Sequence, residues 1–175
     1  LAYRRSAFLD TGGFEKNLRY HSGDDQFLMN SVRSRYGKKA IVFNRDREAI
    51  VATEPEACLS GFIHQRIRWV SKSRGYRDPL VIAVGLVTWL VHLLLFAGLI
   101  TGIFRPAVLC IVLAAWSGKI LLEYPLVRFM SRFFRKMGLL VYYPVAQVFQ
   151  LVYVPLTGLL GLFLPYRWKG RKIRR

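Results

Sequence analysis

Residues 80–104 read LVIAVGLVTWLVHLLLFAGLITGIF, and no Lys, Arg, Asp or Glu falls among them. Thr88, His92 and Thr101 are the only polar interruptions. At about 1.5 Å per residue, such a helix exceeds the ~30 Å of a bilayer's hydrocarbon layer. Asp78-Pro79 precedes it and Arg105-Pro106 stops it. The stretch reads as a membrane helix, and the rest of the chain is placed relative to it.

Downstream, residues 107–127 form a second apolar stretch interrupted by Lys119 and Glu123. These stand at i and i+4, so they can pair on one helix face and lower each other's cost in lipid. A basic loop follows, with Arg128, Arg132, Arg135 and Lys136. Residues 139–165 form a third apolar stretch, broken by Pro144 and Pro155 and carrying Gln147 and Gln150, before a basic tail at 166–175. Basic clusters flank this stretch on both sides, and the positive-inside rule wants both on one face. The sequence therefore predicts two full crossings, 80–104 and 107–127, and a re-entrant or interfacial third segment.

The chain has 175 residues, 53% of them hydrophobic, with 27 Lys+Arg against 10 Asp+Glu and a net charge of +17. A mean hydropathy of +0.25 at that charge excludes disorder, because disordered chains lack apolar residues. Two cysteines, Cys58 and Cys110, do not make a disulfide framework. Residues 1–79 hold 15 basic and 9 acidic residues, and residues 80–175 hold 12 and 1. Because the basic clusters adjoin lipid-length segments, their natural partner is membrane lipid, not nucleic acid. His92 reads as packed against a neighbouring helix, with a proton relay as the alternative.

Upstream, residues 1–79 read as a soluble α/β segment. Ser6 to Leu9 suits a helical turn broken by Gly12-Gly13, and 24–36 suits a helix ended by Gly37. The β-branched runs 39–43 and 49–53 read as two strands, and a second helix is expected at about 56–74. The chain opens at Leu1, without Met, and reads as the C-terminal part of something longer.

Two constellations here carry chemistry. Asp24 and Asp25 sit at a loop-to-helix junction, where one carboxylate can take a proton from a sugar hydroxyl while its neighbour bonds backbone N–H groups. The plainer reading makes Asp24 a helix cap. In Gln65-Arg66-Ile67-Arg68-Trp69, positions 65, 68 and 69 share one helix face, and Leu59, Ile63, Ile67 and Val70 form an apolar stripe opposite. A guanidinium suits phosphate and an indole suits the C–H face of a sugar. The plainer reading is an amphipathic helix lying on the membrane.

The Gly-Gly-Phe of Gly12, Gly13 and Phe14, the acidic pair Asp24-Asp25 and the Gln-x-x-Arg-Trp of Gln65, Arg68 and Trp69, in that order before membrane helices, resemble the C-terminal part of a membrane-bound family 2 glycosyltransferase, the group of cellulose, chitin and hyaluronan synthases. Trp168-Lys169-Gly170-Arg171 is similar to the tails of bacterial members. The resemblance covers residues 1–79 and implies an α/β fold there, the C-terminal edge of a GT-A, Rossmann-like domain, followed by α-helical transmembrane segments. It implies inverting transfer from a nucleotide-sugar donor to a glycan or lipid-linked acceptor. Asp25 would be the general base supported by Asp24, Gln65 and Trp69 would border the acceptor, Arg68 would meet the donor pyrophosphate, and Gly12, Gly13 and Phe14 would belong to the substrate site. Residues 1–79 would be cytoplasmic. A divalent metal, Mg or Mn, would be bound by an Asp-x-Asp that this chain does not contain, so the chain by itself is expected to be inactive. The competing reading is a non-enzymatic, basic, membrane-anchored subunit or scaffold.

Overall fold

A computed structural model describes residues 2–14, 24–76, 78–168 and 171–173. The chain divides into two compact units, Leu1–Thr53 and Glu54–Arg175. The helix that the sequence groups with the soluble segment therefore belongs to the same unit as the apolar helices.

The first unit contains α1 (Arg5–Asp10) and α2 (Asp24–Tyr36). Phe27 and Leu28 of α2 are buried. Gly37, at φ 82°, ends α2 and donates to the Arg33 carbonyl at 2.9 Å. With ψ at 175°, that backbone lies in a region open essentially to glycine alone.

The expected α/β, Rossmann-like fold is overturned. The two runs read as strands, 39–43 and 49–53, form no ladder: Lys38–Ala40 and Arg47–Ala49 are 3-10 turns, and extended chain lies between them. Val42, Phe43 and Val51 are 85%, 73% and 84% exposed. A β-branched run becomes a strand only where a neighbouring backbone completes its hydrogen bonds, and neither run has such a neighbour among the described residues. Instead Asn44 Oδ1 accepts from the Asp46 N–H at 2.9 Å, and Asp46 Oδ1 accepts from the Glu48 N–H at 3.0 Å. These short side-chain-to-backbone bonds favour turns. Among the described residues, the one sheet is the antiparallel hairpin of β1 (Tyr166–Trp168) and β2 (Arg171–Ile173). Residues 169–170 and 174–175 of the basic tail lie outside the described residues.

The second unit is helical up to that hairpin. α3 (Leu59–Ser71) precedes α4 (Pro79–Gly102), α5 (Pro106–Phe133) and α6 (Tyr143–Phe163). Three helical stretches, Pro79–Gly102, Pro106–Phe133 and Met137–Phe163, are long and apolar enough to cross a membrane. Their side chains are largely exposed, as lipid contact requires. The chain is a membrane protein.

Small residues set the helix contacts. A Cβ on Gly102 would fall 3.0 Å from the Leu109 backbone, and one on Gly98 would meet Val112, so α4 and α5 form a close antiparallel hairpin. Gly158 of α6 sits against the Trp89 ring of α4, whose indole N–H donates to the Pro155 carbonyl at 3.2 Å. Gly161 sits against Val70 and the Ile67 carbonyl of α3. Pro155 does not break α6, which runs through it.

Candidate functional site

Gly12 and Gly13 follow α1 at φ 80° and 56°. The Gly13 N–H donates to the Phe8 carbonyl at 2.9 Å and the Gly12 N–H to the Leu9 carbonyl at 3.0 Å, the paired bonds of a Schellman cap. Thr11, 4% exposed, adds a hydroxyl bond to the Ala7 carbonyl at 2.8 Å. Phe8 packs between Tyr3 and Phe14, with ring centroids 5.5 and 5.0 Å away. A Cβ on Gly13 would lie 2.9 Å from the Phe8 ring. The Gly-Gly-Phe motif thus has a complete local role in ending α1.

Asp24 opens α2, and its side chain lies outside the described residues. Asp25 is exposed, and its Oδ1 accepts from the Gln26 N–H at 2.8 Å. The other oxygen of its carboxylate has no partner among the described residues. At the far end of α2, the Tyr36 hydroxyl donates to Asp10 Oδ2 at 2.6 Å, linking α2 to α1. That bond to a carboxylate pushes the Tyr36 phenol above its ordinary pKa.

In the second unit, α3 presents Gln65, Arg68 and Trp69 on one side. Cys58 caps the helix, its Sγ accepting from the Gly61 N–H at 3.4 Å. The Gln65 amide donates to Glu56 Oε1 at 3.3 Å. Trp69 is 43% exposed. Of the apolar stripe read from the sequence, Ile67 is buried and Val70 packs on α6, whereas Leu59 is exposed. Phe62 takes its place, against Phe149 and Tyr153 of α6 at 5.7 and 5.3 Å.

Sequence reasoning missed Arg66. Its guanidinium lies 4.7 Å from the Phe62 ring centroid, 4.5 Å from that of Trp69 and 5.8 Å from that of Tyr153. Desolvated cation–π contacts are worth up to about 2 kcal/mol. Arg66 therefore ties Trp69 to α6. The signal was present as aromatic, Arg and aromatic at i, i+4 and i+7, but the matched motif skips that position.

A second polar group joins α5 to α6. Lys119 Nζ donates to Glu123 Oε2 at 2.8 Å, Gln147 Oε1 at 2.9 Å and Gln150 Oε1 at 3.4 Å, which uses all three of its N–H groups. The Gln147 amide, 1% exposed, donates to Glu123 Oε2 at 3.0 Å. The Tyr143 hydroxyl donates to the Ile120 carbonyl at 3.0 Å. The group bridges α5 and α6, with the Glu123 side chain still 41% exposed, and acts as a clamp between helices. His92 is 4% exposed, its Nδ1 is 2.7 Å from the Thr88 carbonyl, and its Nε2 has no hydrogen-bond partner among the described residues.

No three His, Cys, Asp or Glu side chains gather among the described residues to hold a metal ion. Cys58 and Cys110 are both free and exposed. No family model, curated protein or solved structure matches the chain.

Proposed function

We propose that the chain is the acceptor-side and membrane part of a glycosyltransferase that moves a sugar from a nucleotide-sugar to an acceptor hydroxyl in glycan or polysaccharide synthesis. The observation that carries this reading is the face of α3. Gln65, Arg68 and Trp69 stand together on a helix packed onto α6, a few residues before the first apolar helix. An amide, a guanidinium and a half-exposed indole at a membrane surface suit a hydroxylated, phosphate-bearing reactant.

In the proposed reaction the acceptor oxygen attacks the anomeric carbon of the donor. The bond from that carbon to the nucleoside diphosphate breaks, and the leaving group keeps the electron pair. The Asp25 carboxylate takes the hydroxyl proton as the new bond forms. Asp24 supports that residue, and Arg68 meets the pyrophosphate charge. Gly12, Gly13 and Phe14 hold the end of α1. Donor-binding residues are supplied from outside these 175 residues, and the first unit faces the cytoplasm.

The test is made in the full-length enzyme. Asp25→Asn is expected to lower sugar transfer by at least ~10²-fold with little change in nucleotide affinity, and Asp24→Asn to do less. Near-normal transfer by Asp25→Asn together with loss in Asp24→Asn would reverse the two roles. Unchanged transfer in Asp25→Asn and Trp69→Ala alike would leave the chain a membrane-anchored scaffold.

A further inference from the structure

We propose that α6, although long enough to span, does not cross the bilayer. It enters and leaves on the side that carries α3, and that side faces anionic lipid headgroups.

The hairpin of α4 and α5 provides the ruler. Gly98 faces Val112 and Gly102 faces Leu109, so each step back along α4 is a step forward along α5, and Trp89 falls roughly opposite Leu121. The start of α6 meets the hairpin at that height, through Tyr143 on Ile120 and Gln147 on Lys119 and Glu123. Later residues, Pro155 and Gly158, meet it at Trp89, again at that height. Tyr143 and Gly158 are roughly 22 Å apart along a helix. A helix running beside the hairpin would have climbed most of that distance, so α6 lies across it.

The ends of α6 agree. Gly161 touches Val70 and Ile67 of α3, and β1 packs beside α3. Only residues 72–78 separate α3 from α4, so α3 lies on the side where α4 begins. α5 runs back to that side before α6 starts.

Charge gives an independent argument. This path gathers Arg66, Arg68 and Lys72, the cluster Arg128 to Lys136, and Arg167, Arg171 and Lys172 of the tail on one face, and among the described residues leaves Arg105 at the opposite turn. A third crossing would put the six basic residues of the tail on the other face, against the positive-inside rule. α5 has 28 residues, roughly 42 Å, so its last turns rise above ~30 Å of hydrocarbon. There Arg128 and Arg132 line an open groove of about 400 Å³ with Tyr124, Pro125 and Phe129. No acid lines that groove: Glu123, the only acid beyond residue 79, is held by Lys119, and Asp78, near the level of Arg132, caps α4 through the Leu80 N–H. Lipid phosphates lie at that level and suit the two guanidinium groups.

Reporter fusions to the full chain after Phe104, Lys136 and Arg175 test the path. The last two are expected on one side and the first on the other. Arg175 reporting with Phe104 would overturn the proposal. Because a fusion can itself disturb insertion, Gly138→Cys and Arg171→Cys, each in a Cys58→Ser/Cys110→Ser background, are labelled in sealed vesicles with an impermeant maleimide. Both are expected to react from the same side, and opposite sides would again overturn it. For the headgroups, the chain is reconstituted in phosphatidylcholine alone or with phosphatidylglycerol. A rise in Tm with phosphatidylglycerol, lost in Arg128→Gln/Arg132→Gln and not reproduced by inorganic phosphate, is expected. Equal Tm in both vesicles would remove the lipid claim. None of these readouts depends on sugar transfer.

Discussion

The two units of this chain are held by different forces. In the first, order comes mainly from local hydrogen bonds, namely the Schellman cap after α1, the Thr11 hydroxyl and the Asn44 and Asp46 turns, with the Tyr36–Asp10 bond joining α2 to α1. Among its described residues the only buried hydrophobic side chains are Phe27 and Leu28. In the second, order comes from distant residues brought together, with glycines letting helices approach and Lys119 joining α5 to α6. Lipid competes poorly with such contacts because it supplies neither a matching surface nor hydrogen bonds. Damage in the first unit should therefore stay local, and damage in the second should spread across helices.

The largest effect is expected from Gly158→Val. Its side chain would occupy the place of the Trp89 ring, and the loss of the α4–α6 contact is expected to destabilise the second unit by about 3 kcal/mol. Thermal unfolding in detergent measures it, and Gly85→Val, where nothing lies within 4 Å of the new Cβ, is the control. Equal effects of the two substitutions would break the comparison. Next comes Lys119→Met, which leaves two amide oxygens without their donor and Glu123 with the Gln147 amide alone. About 2 kcal/mol is expected, most of it recovered in Lys119→Met/Glu123→Gln. A double variant no better than the single one would mean that the clamp is not electrostatic.

In the first unit the effects are smaller. Gly12→Ala places a Cβ at φ 80°, and about 1 kcal/mol is expected, confined to α1 and its cap and read by amide hydrogen exchange. Loss of protection throughout α2 would show that the cap is not local. The smallest effect is that of Tyr36. Its neutral phenol is the hydrogen-bond donor, so the raised pKa adds stability that is complete below the ordinary value of about 10 and disappears as pH rises through the raised value. Spectrophotometric titration should find that Asp10→Asn moves the ionisation of one tyrosine to lower pH.

The same division explains what the sequence could tell. Residues 80–104 were legible because composition alone marks a membrane helix, and the Lys119–Glu123 pair because i and i+4 share a face on any helix. Gly37 as the end of α2 needed only local rules. The runs 39–43 and 49–53 were not legible, because Val and Ile state a preference for a pleated surface and not whether a partner backbone exists. Gln147 and Gln150 as companions of Lys119 required knowing how α6 crosses α5. In the candidate site, the shared face of Gln65, Arg68 and Trp69 followed from helical period, whereas Arg66 over Trp69 required Tyr153 from α6 to complete the aromatic cage.

That cage has a stereochemical consequence. With Arg66 on one side of the half-exposed Trp69 ring, a flat partner can stack only on the other, so the ring is a shelf and not a sandwich. Under the proposed function, an acceptor sugar would lie on that shelf by one side alone and be held weakly.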